Sequence, residues 1–361
     1  MRVYNMDILV LNKEMESIHI IDEFESMIWV ERYSKCGDFE LYLPIEYEII
    51  SYIKNGYYLW LESSKTVMII EDIEIVTDNE EGNHMIVTGR SLESILDRRI
   101  LWEQTILSGG LQSAVEQILL ENIISPSIPD RSISNFIFEA SDDPRITDLT
   151  IDAQFTGNTV YETICSICDS VNIGFRITLS DDNKFIFKLY SGIDRSYDQL
   201  VYPQVVFSPK FDNIISSNYI ESDRSLKTVG LVAGEGEGAA RRMVVVDSQY
   251  GAKSGLDRRE LFIDARDLSS NTSWGELTNE EYRAQLNQRG VEKLSENIGV
   301  SSFEGQIDTT QMYKYGEDYS IGDIVQIINE YGMDTKSRII EFIISQDLEG
   351  TYSYPTFASV I

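Results

Sequence analysis

Only a handful of residues in this sequence have the types and spacings that chemistry uses. Cys165 and Cys168 form a C-x-x-C pair, the spacing of redox dithiols and of half a zinc site. No second Cys or His pair stands nearby, and the pair falls in a stretch of helical periodicity, where free cysteines pack as small hydrophobes. Buried structural thiols are expected. Gly234-Glu235-Gly236-Glu237-Gly238 has the glycine density of a phosphate loop, but it lacks the Gly-Lys-Ser/Thr ending and its two glutamates repel phosphate. A mobile hairpin or interdomain loop fits it better. Asp142-Asp143 and Asp181-Asp182 offer paired carboxylates for a hard cation or for acid–base work. Neither has EF-hand spacing, and the second sits where a turn is expected, so both are taken as solvated turns. His19 and His84 are isolated on strand-like segments with no nucleophile motif beside them. Arg241-Arg242 and Arg258-Arg259 suit either salt bridges between subunits or plain solvation. No catalytic, cofactor-binding or metal-ligating residue is assigned, no cofactor is expected, and the chain is expected not to be an enzyme.

The elements that carry these residues are mostly strands. Over the first hundred residues, short apolar runs such as Ile8 to Leu11, Phe39 to Leu43, Tyr57 to Leu61 and Val67 to Ile75 alternate with polar clusters, the rhythm of strands and turns. Leu92, Ile95, Leu96 and Ile100 then recur at helical spacing and close this unit with a short helix. Two further helical stripes follow: Leu111, Val115, Ile118, Leu119 and Ile123, then Val160, Ile164, Ile167 and Val171. Thr159 with Glu162 forms a capping box at the start of the second, each side chain satisfying a backbone donor of the other. Phe175 to Leu179 and Phe185 to Leu189 predict a hairpin. Strands resume near Gln204, through Val229 to Ala233 and Met243 to Val246. Thr278 and Glu281 then form another capping box, opening a helix with Tyr282, Leu286, Leu294 and Ile298 near one face. From Ser301 to Ile361 the pattern is β again.

The opening and closing β regions resemble each other. Phe39-Glu40, the turn glycine Gly56, Ile70-Glu71 and Glu81-Gly82 recur in the same order as Phe303-Glu304, Gly322, Ile340-Glu341 and Glu349-Gly350. The gaps differ by only a few residues, as loops between equivalent strands do. Shared apolar alternation alone produces some of these matches, but not the glycine and the Ile-Ile-Glu triplet together. Two copies of a β module in one chain turn a trimer into a ring of six near-equivalent modules, which can stack on a six-fold tube.

Bulk composition narrows the function further. A length of 361 residues calls for more than one packed unit, and three cysteines provide no disulfide framework. No apolar run is long enough to span a membrane, and the N-terminus lacks signal-peptide layout. A formal charge of −30 argues against sequence-specific nucleic-acid binding, because phosphate affinity comes from Lys and Arg releasing counterions. The same charge suits a wall past which DNA slides.

Four segments carry a family resemblance: Val67 to Ile75, Val87 to Arg99, Val232 to Gly238 and Tyr315 to Val325. Together they resemble the siphovirus tail-hub, or tail-associated (Tal-like), proteins, over nearly the whole chain. The resemblance implies a fold like the baseplate hub of T-even phages: α+β, mainly β, with two tube-type β-barrel domains plus two smaller α+β domains. The expected boundaries are 1–100 for the first barrel, 101–203 for an α+β domain, 204–238 with 300–361 for the second barrel, and 239–299 for an inserted domain with a helix. It implies a homotrimer at the virion tail tip, assembled in the host cytoplasm. Expected partners are the distal tail protein or tail tube, the tape-measure protein, and a tip fibre or spike protein. The chain would then join a six-fold tube to a three-fold tip around a channel for tape measure and DNA. Relatives that continue into wall-cleaving or fibre regions do so beyond the second β module, where this sequence stops. The alternatives are a receptor- or carbohydrate-binding tail protein, with exposed Trp and Tyr as stacking faces, and a cell-wall hydrolase.

Overall fold

The computed structural model describes residues 6–45, 47–62, 64–78, 82–272, 275–307, 312–332 and 334–360. By backbone contacts the chain divides into two compact units, each assembled from discontinuous segments. The first comprises Met1–Ser94, Phe175–Tyr219 and Ser302–Ile361; the second comprises Ile95–Gly174 and Ile220–Ser301. The protein is α+β and mainly β, as the patterning implies. Among the described residues, no helix is long and apolar enough to cross a membrane.

The first unit is organised by one 13-stranded sheet. Its strands are β1 (Ile8–Leu11), β2 (Ser17–Ile21), β3 (Ser26–Arg32), β4 (Asp38–Pro44), β5 (Tyr58–Leu61), β6 (Val67–Asp78) and β7 (Gly82–Ser91). The later segments add β8 (Val206–Phe207), β9 (Ile214–Ser222), β10 (Val300–Ile307), β11 (Ile324–Ile328), β12 (Asp334–Gln346) and β13 (Thr351–Ser359). The order is β9-β10-β13-β12-β3-β4-β7-β6-β5-β1-β2, with β11 beside β12 and β8 beside β11. Period-2 patterning sets which side chains enter the core. In β4, for example, Phe39, Leu41 and Leu43 are buried while the residues between them are half-exposed. Trp29, Leu41, Val325, Ile339 and Phe357 all belong to one cluster fed by both β regions. Burying each such side chain contributes about 1.5–3 kcal/mol. The predicted hairpin forms as strands Gly174–Leu179 and Phe185–Tyr190, its turn closed by the Ser180 N–H donating to the Lys184 carbonyl.

In the second unit, strands Val229–Ala233, Met243–Asp247 and Glu260–Asp264 form a three-stranded sheet, with the first in the middle. Helix Asn279–Ser295 supplies Tyr282, Leu286 and Leu294 to the same core cluster as Val232, Val244 and Ile263. Both predicted capping boxes are present, at Thr159/Glu162 and Thr278/Glu281. The helix ends at Ser295, so Ile298 lies past it and is partly exposed rather than on the buried face. The stripe from Leu111 forms helix Leu111–Leu119 and then widens into a π turn, Leu120–Ile124. The short helix expected after Ser91 is a 3₁₀ helix, Leu92–Arg98.

Candidate functional site

The strands that carry the internal repeat pair in the same order in both regions. In the first region β4 pairs with β7, β7 with β6 and β6 with β5; in the later region β10 pairs with β13, β13 with β12 and β12 with β11. Phe39 lies opposite Gly89, which lies opposite Ile70. Phe303 lies opposite Phe357, which lies opposite Ile339. One row further, Glu40, Thr88 and Asp72 align, as do Glu304, Thr356 and Glu341. The flanks differ in one respect: β1 runs antiparallel to β5, whereas β8 runs parallel to β11.

The same turn opens the third strand of each set. Gly56 has φ +80° and donates its N–H to the Ile70 carbonyl at 2.8 Å; Gly322 has φ +90° and donates to the Ile339 carbonyl at 2.8 Å. Positive φ is open to glycine at little cost and expensive for other residues, which explains the glycine at both places. Each long strand then carries a one-residue bulge, at Glu71 in β6 and at Ile340 in β12. Paired by hydrogen bonds, Ile70 therefore corresponds to Ile339 and Asp72 to Glu341. This is one residue away from the match of Ile70 with Ile340 and Glu71 with Glu341 in the sequence. Glu81 lies outside the described residues; Gly82 begins β7.

Arginines clamp both bulges. Arg90 reaches Glu71 through two bonds, Nε to Oε2 at 2.7 Å and Nη2 to Oε1 at 2.9 Å. Arg32 holds Glu341 at 2.7 Å and Asp38 at 2.6 Å, tying β12, β3 and β4 together where the two β regions join. Phe39, Glu40 and Glu71 share one open cleft with Asp38, Asp72 and Arg90. Gly56 meets Ile70 only through the turn. Beneath the join lies a buried polar group that sequence reasoning missed. The Glu31 carboxylate accepts the Ser64 hydroxyl at 2.5 Å and the Tyr315 hydroxyl at 2.6 Å. Glu93, also buried, accepts the Ile177 N–H at 2.7 Å, and burial pushes its carboxyl above the usual range against the pull of its hydrogen bonds and of Arg176. Glu93 and Tyr315 lie in segments that carry the family resemblance, which does not mark either as a buried polar group, and Glu31 and Ser64 lie outside those segments.

The residues first weighed for chemistry disperse. Cys165 and Cys168 sit on helix Val160–Ser170, with no disulfide, and burial pushes the Cys168 thiol well up. The Gly234 to Gly238 run connects two antiparallel strands and is anchored rather than mobile: Tyr282 accepts the Glu235 N–H and Arg241 grips the Gly234 carbonyl. Asp143 caps a short helix and binds Arg145, which together draw its carboxyl down. Asp182 pairs with Lys184 in the hairpin turn, and Asp181 lies beside it in that turn. His19 stacks on Tyr52 and His84 on Tyr42. Arg241, Arg242, Arg258 and Arg259 all pair within the chain, with Asp264, Glu235, Glu260 and Asp223. Among the described residues, no three His, Cys, Asp or Glu side chains gather as a metal site.

Residues 7–357 match the model of the Siphovirus ReqiPepy6 Gp37-like protein family. The chain belongs to that family. The siphovirus resemblance read from the four segments is thereby borne out. Solved structures of similar fold include tail proteins. The 43 kDa tail protein of prophage MuSo2 from Shewanella oneidensis superposes with a TM-score of 0.59 at 13% identity, covering 97% of this chain and 98% of that one. The tail protein from Neisseria meningitidis MC58 gives 0.57 at 14% identity, over 99% and 97%. Prophage tail protein gp18 from Listeria monocytogenes EGD-e gives 0.57 at 14%, over 98% and 94%. No curated protein sequence matched the chain.

Proposed function

We propose that this protein is a non-enzymatic tail-tip hub: a homotrimeric ring whose two copies of a tube-type β module per chain present six modules to a six-fold tube. The carrying observation is a join made once inside the chain and left open once. Beyond its bulge, β12 pairs on its outer side with β3, from Glu341 opposite Arg32 to Gln346 opposite Met27. The corresponding half of β6, Asp72–Asp78, has no strand on its outer side among the described residues. By the row alignment, Ile75 corresponds to Ile344; Ile75 is 52% exposed and Ile344 is 6% exposed. The strand corresponding to β3 in the later region is β9, which ends the sheet.

An unpaired β edge invites another strand. Joining β6 of one copy to β9 of the next repeats the internal join between chains. Each such contact is heterologous, and three of them close a ring. The phage-tail fold of the solved relatives supports this reading, as does the acidic charge, which suits a channel for tape measure and DNA. The distal tail protein or tube on one face and a tip protein on the other complete the assembly.

A map of the assembled tail tip tests it. Three copies with β6 of each hydrogen-bonded to β9 of its neighbour is the expected result; a single copy, or a ring in which both edges face solvent, refutes it.

A further inference from the structure

The second unit holds a basic island that none of the preceding assignments uses. Arg98 ends the 3₁₀ helix and Arg99 follows it, and Arg131 ends a short turn of its own. Arg99 donates through Nε to the Arg131 carbonyl at 2.7 Å and through Nη1 to the Arg98 carbonyl at 2.9 Å. Arg131 donates through Nη2 to the Ile100 carbonyl at 2.7 Å and to Asn122 Oδ1 at 3.1 Å, Asn122 lying in the π turn. The Arg131 guanidinium also stands over Trp102, 4.6 Å from the ring centroid.

Arg99 and Arg131 are fixed without being neutralised, and Arg98 stands exposed beside them. Elsewhere the guanidinium groups of Arg32, Arg90, Arg145, Arg195 and Arg289 each meet a carboxylate of the same chain. Among the described residues no carboxylate pairs with Arg98, Arg99 or Arg131. Arg99 and Arg131 meet backbone carbonyls, the Asn122 amide oxygen and the Trp102 ring, and the mutual proximity of the three arginines, after burial, lowers the Arg99 pKa. A guanidinium has a fork of donors that matches a carboxylate. Here, among the described residues, Arg131 Nε and Nη1 and Arg99 Nη2 have no hydrogen-bond acceptor. Trp102 is 57% exposed beside them, with Ile100 also exposed. Exposed Trp with Arg is the composition that dominates protein–protein contacts.

We propose that Arg98, Arg99 and Arg131 around Trp102 form the receiving half of a contact with a carboxylate-bearing surface of a second copy of this chain. Charge complementarity selects that occupant. The chain carries 60 acidic against 30 basic residues, so a neighbouring copy presents carboxylates over much of its surface. A cyclic trimer joins two different patches of neighbouring copies, and a basic island on an acidic protein gives such a pairing direction. The inference deepens the ring reading and rests on it.

Sedimentation of the full chain at about 1–100 µM separates the two. One variant is Arg99→Glu with Arg131→Glu. A second, Arg98→Glu with Trp102→Ala, leaves the bonds from Arg99 and Arg131 to the carbonyls intact and guards against a folding defect, which circular dichroism monitors. The expected result is a wild-type trimer whose association weakens at least tenfold in both variants. A trimer of unchanged affinity in the second variant overturns this contact while leaving the ring standing. A wild-type chain that stays monomeric overturns it too, and transfers the ring question to the assembled tail. Binding of a polyglutamate or polyphosphate probe that quenches Trp102 in such a monomer would assign the island to a different anion.

Discussion

Glu292 is the residue whose titration should be most visible in this protein. It lies on helix Asn279–Ser295 and is 3% exposed. Burial is the main cause that pushes its carboxyl up to about 7; Arg289 at 3.7 Å and the Gln288 amide at 3.2 Å pull the other way without cancelling it. A carboxyl whose pKa is raised on folding stabilises the fold while protonated. That contribution is fully present below the ordinary value of 4.5 and is lost as pH rises through about 7. The span of roughly 2.5 units corresponds to about 3 kcal/mol, an upper figure because substitution also removes the attraction to Arg289. Glu292→Gln keeps the shape and the Gln288 contact without the charge. Urea unfolding followed by circular dichroism at pH 4, 6, 7 and 8 should give nearly equal stabilities at pH 4 and a variant more stable by about 2–3 kcal/mol at pH 8. Parallel curves for the two proteins across that range would show that the carboxylate is solvated and would refute the reasoning.

The two turn glycines should differ in tolerance. A Cβ at Gly322 would come within 2.4 Å of the Tyr33 ring, while one at Gly56 meets only the end of Lys13 at 3.5 Å. Gly56→Ala is expected to cost about 1–2 kcal/mol for its positive φ, and Gly322→Ala about 3 kcal/mol or more, read from urea midpoints; equal costs would contradict the packing. Thr278→Ala removes the hydroxyl that accepts the Glu281 N–H and should cost about 1 kcal/mol, with Thr278→Ser restoring most of it in the same assay. A trimer carries 3 × −30 = −90 formal charges. Light scattering should therefore show the isolated ring shifting toward monomer between about 0.1 M and 0.01 M salt, where the Debye length grows from about 10 to about 30 Å; insensitivity to salt would place the charges far from the contacts.

Local chemistry was legible in the sequence because its causes are local. The capping boxes at Thr159 and Thr278, the hairpin around Ser180 to Lys184 and the positive-φ glycines at 56 and 322 each depend on residues a few positions apart, and all stand where the pattern put them. The period-2 burial of β4 was likewise visible in Phe39, Leu41 and Leu43. The order of strands in the sheet was not. Nothing near Arg32 announces Glu341, more than 300 positions away, as its partner, and only tertiary pairing puts β12 beside β3. The bulges at Glu71 and Ile340 also escaped the pattern, because a one-residue insertion shifts register without changing which residues are apolar. Charge followed the same division. Composition determined the acidity of the whole, whereas folding decided that Arg241, Arg242, Arg258 and Arg259 would be spent on carboxylates within the chain. It also brought Arg131 over Trp102 and into bonding distance of Arg99, from a separate segment, with no acid among the described residues paired to either.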